Sequence, residues 1–541
     1  MSPLPSWLET AIFYQIYPQS FYDSNGDGIG DIPGILAKLD YIQSLGVNAL
    51  WLNPCFVSPF QDAGYDVADY YTVAPRYGTN EDLKRLFEEA GRRGIRVLLD
   101  LVPGHTSIEH PWFKASARHE RNPYTDWYIW TNSVWTTPPP PLQAVRAYAE
   151  RDAGYITNFF YFQPALNYGF ASPDPAHPWQ QPVEAPGPQA VRAEIKNIIR
   201  FWLEQGASGF RVDMAGSLVK GDVQSVETAR IWREIRAWLD ATYPEAVLVS
   251  EWGYPLQAIN QAGFHIDFAL TWGMHGALSL FRKSNGDGPR HDPYGWSFFD
   301  RQGHGNIREF MDDYLRHYQA TRENGYIALF TGNHDHCPRL GRGRNADDLT
   351  LIYLFLLTMP GTPFIYYGDE IGMPGLQGLP SKEGGYNRTQ LRTPMQWDDS
   401  PNAGFSSAPS ESLYLPVQAA GPERPTVAAQ ESDPDSLLNH VRALITLRRE
   451  HPALGAGAGF EPLYAEAGRY PLVYRRQAQG ETLLIAINPS ERSVEVSLPI
   501  EICPHPNWPQ DVYGLSNPWL RRGEDEWGLR LPPVSGGVYR A

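Results

Sequence analysis

Eight short apolar runs punctuate residues 12–370: IFYQIYP, NALWLNP, RVLLDLVP, GFRVDMA, AVLVSEWG, IDFALTW, IALFTGNHD and TPFIYYGDE. Amphipathic stretches lie between them, among them GILAKLDYIQSLG, NEDLKRLFEEAGRRG, AVRAEIKNIIRFWLEQG, NIREFMDDYLRHYQAT and DDLTLIYLFLLTMPG. Several end in glycine, as a helix C-cap does. Strands alternating with helices are the pattern of a parallel sheet wrapped by helices. Eight such units predict an α/β fold of the (β/α)8 barrel type, with its last helix in SLLNHVRALITLRREH.

One connection is too long for an ordinary βα loop. Between the third run and the helix near residue 190 lie roughly eighty residues rich in Pro, Trp and Tyr. They predict an inserted domain over 105–188, which divides the barrel into 1–104 and 189–456. Beyond it, TLLIAINP, RSVEVSLPI and GLRLPPV read as short strands of a C-terminal antiparallel β-sandwich over 457–541. The Pro-rich runs TTPPPPL and AAGPERPTV read as surface loops.

A chain of 541 residues with 42% hydrophobic residues can bury a large core and calls for more than one domain. Its formal charge of −16 disfavours nucleic acid and anionic membranes, both of which need basic surface, and suits a small neutral partner. Cys55, Cys337 and Cys503 stand far apart without metal-ligand spacing, so free thiols and a reducing compartment are expected. The N-terminal stretch lacks the basic and apolar regions of a leader, and no segment is long and apolar enough to span a bilayer. A cytoplasmic protein is the expectation.

Charged residues gather where the runs end. Asp100 and His105 close the third, Arg211 and Asp213 the fourth, Glu251 the fifth, and His334 with Asp335 the seventh. Any one of them alone reads most simply as an ion pair or a helix cap. Together they share the C-terminal rim, where barrel enzymes carry their chemistry. Two carboxylates facing across a pocket serve glycosidic cleavage, one as nucleophile or base and one as acid. Arg211, two residues before Asp213, should hold that carboxylate ionised, and Glu251 beside Trp252 is the better acid because apolar neighbours raise a carboxyl pKa.

In this order the motifs DLVPGH, QPALN, GFRVD, SEWG, GNHD and RTPMQW resemble glycoside hydrolase family 13, the α-amylase family, and its oligo-1,6-glucosidase and α-glucosidase branch. The resemblance covers nearly the whole chain. It implies Asp213 as nucleophile, Glu251 as general acid/base and Asp335 as a third carboxylate that holds sugar hydroxyls. It also implies His105, Arg211 and His334 around the sugar in subsite −1. Asp62 and Tyr65 of QDAGYD match a pocket-closing acid and a stacking aromatic, and Arg392 of RTPMQW matches the arginine that pairs with that acid. A pocket closed in this way implies exo action on a terminal α-glucose.

The stretch DSNGDGIGD places Asp23, Asn25, Asp27, the Ile29 carbonyl and Asp31 at the alternating spacing of an oxygen-ligand cation loop. An EF-hand would need Glu where Gly34 stands. The stretch is similar to a loop that holds structural Ca2+ or Mg2+ in this branch, and no organic cofactor is implied. Four positions depart from the branch. Gly104 replaces the usual Asn before His105, Ala165 replaces an Asp in QPALN beside Gln163 and Asn167, Met214 follows the nucleophile, and His336-Cys337 lengthen the segment after GNHD. Met214, where a residue that tunes linkage preference stands, leaves α-1,4 and α-1,6 preference open.

The leading expectation is a retaining exo-α-glucosidase on short α-glucosides. A glucosyl transferase or isomerase of the trehalose synthase or sucrose isomerase type would use the same machinery. A non-catalytic binding relative would more often carry a membrane anchor and a degraded triad. Oligomeric state has no signature in the sequence.

Overall fold

The structure is a computed structural model and describes residues 3–281, 296–335, 338–383, 387–502, 510–515 and 518–540. His336, Cys337 and Cys503 lie outside the described residues. Each of the eight apolar runs forms one strand: β1 (Phe13–Ile16), β2 (Ala49–Leu52), β3 (Arg96–Leu101), β4 (Gly209–Val212), β5 (Val247–Ser250), β6 (Ile266–Phe268), β7 (Tyr326–Phe330) and β8 (Thr362–Tyr366). All are parallel and pair in chain order, with β8 returning to β1 to close the barrel. Burial on both faces explains why the runs are continuous rather than alternating. Inside, Phe13, Trp51, Leu98, Val249, Phe268 and Phe364 pack as one cluster, with Phe13 stacked on Phe364 at 4.3 Å, so the barrel has a filled core.

The helices that wrap it follow local rules. Asn80–Arg92 and Ala346–Thr358 each start with a capping box, Thr79 with Asp82 and Asn345 with Asp348. Ala346–Thr358 is buried from Leu349 onward because the last helix, Leu437–Glu450, and the C-terminal domain cover it. The carbonyls at its C-terminal end meet buried guanidinium groups: Arg448 donates at 2.8 Å to the Leu357 and Met359 oxygens, and Arg476 donates to Thr358 O. Two helical details were not singled out in the sequence. The first helix breaks at Lys38 into Ile32–Ala37 and Leu39–Leu45, and a further helix covers Val226–Thr242.

After β3 the chain makes the long excursion expected of it, with a short helix at Pro111–Ser116 and a two-stranded ribbon of Ala144–Arg146 and Gly154–Ile156, before the helix Pro186–Gln205 returns to the barrel. A second, unexpected ribbon, Phe56–Val57 with Asp69–Val73, follows β2 and frames QDAGYD. The C-terminal region holds a five-stranded and a three-stranded antiparallel sheet. Val473, Leu484 and Tyr539 of the first pack on Val496, Leu498, Trp527 and Leu529 of the second, which makes a sandwich. Among the described residues no helix is long and apolar enough to cross a membrane.

Candidate active site

The register of the barrel decides what meets at the rim. Asp100 on β3 lies directly beside Arg211 on β4, and Val212 beside Ser250 on β5, so Asp213 and Glu251 leave adjacent strands at one level. Arg211 joins them. Its Nη1 reaches Asp100 Oδ1 at 2.8 Å and Asp213 Oδ1 at 2.9 Å, and its Nη2 reaches Glu251 Oε2 at 2.8 Å. Burial, then the Glu251 charge, pushes the Asp213 carboxyl well above the usual carboxylate range, with Arg211 pulling the other way. Arg211 favours the ionised Asp213, as expected, but it does so against burial and the Glu251 charge. One guanidinium is shared by three carboxylates, so its charge is divided among Asp100, Asp213 and Glu251.

His334 stacks on Tyr65 at 5.3 Å, and its Nδ1 lies 3.1 Å from the amide nitrogens of both Gln15 and Asn53. Amide nitrogens only donate, so Nδ1 accepts and the ring proton sits on Nε2. That nitrogen is 3.3 Å from Asp335 Oδ2. Burial holds the His334 pKa well below its ordinary value. Asp335 is held well below the carboxylate range: burial opposes this and a His334 cation would assist it, but His334 is neutral, so the charges responsible are those of Arg388 and Arg392. Tyr65 donates to Asp100 Oδ2 at 2.9 Å.

The arginine that pairs with Asp62 is not Arg392. Arg388 Nη2 reaches Asp62 Oδ1 at 2.5 Å and its Nη1 reaches Asp335 Oδ1 at 2.8 Å, while Gln163 Nε2 holds Asp62 Oδ2 at 2.9 Å. Arg392 lies deeper. It bridges Asp335 at 2.9 Å and the buried Glu383 at 2.5 Å, and donates to the His334 carbonyl. Arg388 stands four residues before Arg392 in NRTQLRTPMQW, and that second arginine was the only available sequence signal. Glu383 had none.

Met214 has a left-handed backbone, φ 42°, rare for a side chain of its size. That turn presents its N–H to Glu251 Oε2 at 3.0 Å, tying the residue after Asp213 to the second carboxylate. Ala165 forms an isolated bridge with His105 and packs among Ile129, Ile156 and Phe170. Asn167 donates to Asp126 O at 2.9 Å within the inserted region.

Glu251 also depends on β6. Buried Asp267 accepts from Ser250 Oγ at 2.7 Å and from the backbone N–H groups of Trp252 and Gly253 at 3.1 and 3.2 Å, so it fixes the segment on both sides of Glu251. Burial raises its carboxyl to about 7, against those hydrogen bonds. A carboxyl whose folded pKa is raised binds its proton more tightly folded than unfolded, so its contribution to stability falls as pH rises from about 4 through 7. Asp267→Asn should therefore gain on the wild type in melting temperature between pH 5 and pH 8. A constant gap across that range would refute it.

In the acidic loop, Asp23 accepts from the backbone of Asn25, Gly26 and Gly28, Asn25 from Asp27, and Asp27 from Ile29. Asp31 caps the helix at Gly34 N, 2.6 Å, and accepts from Ser24. These donors have cation-binding chemistry, yet among the described residues no three acid, histidine or cysteine side chains gather as a metal site.

Over residues 15–457 the sequence matches the alpha-amylase catalytic domain. The chain belongs to the alpha-amylase family, glycoside hydrolase family 13. It is 32% identical to a protein described as trehalose synthase/amylase TreS of Mycobacterium tuberculosis, over 99% of this chain and 93% of that one. It is 30% identical to an oligo-1,6-glucosidase of Parageobacillus thermoglucosidasius, over 99% of each. A mutant isomaltulose synthase from Erwinia rhapontici NX5, solved in complex with its natural substrate sucrose, superposes with a TM-score of 0.76 at 26% identity, over 100% of both chains. The chain is thus a glycoside hydrolase on the family's barrel.

Proposed function

We propose that the protein is a retaining exo-α-glucosidase acting on the terminal glucose of short α-glucosides. The observation that carries the reading is a pair of ion-pair clusters at one rim: Arg211 joins Asp213 to Glu251, and Arg388 ties Asp335 to Asp62. With the proton on Glu251 and Asp213 ionised against Arg211, Asp213 attacks the anomeric carbon while Glu251 gives its proton to the departing oxygen, which leaves a glucosyl ester. Glu251, now a base, takes a proton from water as that water attacks the same carbon, and Asp213 leaves as a carboxylate. Two inversions return an α-configured glucose. Asp335, with the neutral His105 and His334, holds the ring hydroxyls, and the Asp62–Arg388 pair closes the far end of the pocket to a longer chain.

The second reading is a glucosyl transferase or isomerase, in which a sugar replaces water at the ester. It is favoured by the similarity to trehalose synthases and isomaltulose synthases. Proton NMR of fresh enzyme with maltose, isomaltose, sucrose and trehalose in turn separates the two. Initial α-glucose from one of them supports the hydrolase, a new disaccharide with little free glucose supports the isomerase, and initial β-glucose would end both.

Ca2+ or Mg2+ at the 23–31 loop is a structural proposal within the same reading, supported by the alternating oxygen donors. Binding would have to draw Asp23, Asp27 and Asp31 together. EDTA should lower the melting temperature and added Ca2+ restore it. A melting curve indifferent to both leaves these residues as a turn closed by its own backbone.

A further inference from the structure

Three donor and acceptor choices around His105 fix one another. Half-buried Lys220 donates from Nζ to Asn158 Oδ1 at 2.7 Å and to the Ser217 carbonyl at 2.8 Å. An ammonium group only donates, so it determines which end of the Asn158 amide it meets. The other end, Nδ2, then lies 3.2 Å from His105 Nδ1, 3.3 Å from Ser217 Oγ and 3.9 Å from Met214 Sδ. An amide nitrogen cannot accept, so His105 Nδ1 must, and the proton of the neutral ring belongs on Nε2. Burial lowers the ring's pKa to about 3, which keeps it neutral. His105 Nε2 is buried and makes no hydrogen bond of normal geometry within the protein.

Position 104 shows why this amide comes from the inserted region. A Cβ on Gly104 would stand 2.7 Å from Asn158 Nδ2 and 3.3 Å from Ser217 Oγ. Any side chain there would displace the Asn158 amide, and its absence opens the space the amide fills.

We propose that Asn158, oriented by Lys220 and admitted by Gly104, is the positioning residue that sets the His105 tautomer, so that His105 offers an Nε2–H donor to a substrate hydroxyl. Its effect on turnover rests on the α-glucoside reading; its effect on the tautomer does not.

The test has a spectroscopic arm and a kinetic arm. In substrate-free enzyme labelled with 15N-histidine, the His105 ring, assigned by its loss in His105→Gln, should show a protonated Nε2 and an unprotonated Nδ1. Asn158→Asp offers only acceptors to both neighbours and should move the proton to Nδ1. Its kcat on the substrate identified by NMR should fall about 10- to 100-fold with a smaller change in KM. Asn158→Ala should lose a similar factor. Gly104→Asn added to Asn158→Ala should return an amide from the other side and recover most of the loss.

Wild-type His105 protonated on Nδ1 would overturn the proposal, as would an Asn158→Asp variant that melts normally and keeps both the Nε2 proton and full kcat. If Asn158→Ala fails to fold, the wild-type spectrum and the Gly104→Asn/Asn158→Ala protein decide. If the wild type turns over no α-glucoside, the functional reading fails and the spectrum still decides the tautomer.

Discussion

Asp213→Asn should lower turnover by on the order of 10^4-fold or more while leaving the fold in place. The asparagine keeps an oxygen for Arg211 Nη1, now 2.9 Å from Asp213 Oδ1, but cannot form the glucosyl ester. Stability should move the other way. Burial and Glu251 raise the Asp213 carboxyl in the folded protein, so ionising it costs stability as pH rises above the ordinary carboxyl range. The amide avoids that cost, and the variant should match or exceed the wild type in melting temperature at neutral pH. Residual activity within about tenfold of wild type, in protein shown free of contaminating wild type, would remove Asp213 from the nucleophile's role. A variant that is inactive because it unfolds would instead place Asp213 among the structural ion pairs.

The sequence made the barrel legible because its strands are buried on both faces and read as unbroken apolar runs. The same logic located the rim residues, since Arg211 stands near the end of β4, Asp213 and Glu251 directly follow β4 and β5, and Asp335 lies just beyond β7. It failed where a partner comes from a distant loop. Nothing in the order of residues shows that Asn158 reaches the space left by Gly104, or that Arg388 rather than Arg392 meets Asp62, because both are choices of loop geometry. Several C-terminal strands were missed for another reason. Leu472–Ala478 and Trp519–Arg522 each contain two adjacent arginines, one of which, Arg476, is buried, and so lack a clean apolar run. The pairing of Asp213 with Glu251 through a single guanidinium was also out of reach, since a spacing of two says where Arg211 points but not how many acids it serves.

Arg392 and Arg388 should fail differently when each is replaced by methionine, the first chiefly in folding and the second also in activity. Arg392 is buried, and Glu383 is almost as deep, accepting also from Tyr17 at 3.2 Å and Tyr414 at 2.8 Å. Removing the guanidinium leaves that carboxylate buried without its cation, a loss of about 3–5 kcal/mol. Arg392→Met should therefore fold poorly, and adding Glu383→Gln should recover part of the melting temperature, since the stranded charge is then gone. Arg388 sits at the open side of the same cluster. Without it, Asp335 keeps Arg392 but buried Asp62 keeps only Gln163, so this variant should lose stability too, and the ion pair proposed to close the pocket is broken. Arg388→Met should lower kcat/KM for a disaccharide by about 10- to 100-fold, with a smaller loss for tri- and tetrasaccharides that can use the opened end. Equal destabilisation by the two substitutions would mean that Asp62 and Glu383 belong to one structural cluster. An unchanged chain-length profile in Arg388→Met would mean that something other than the Asp62–Arg388 pair ends the pocket.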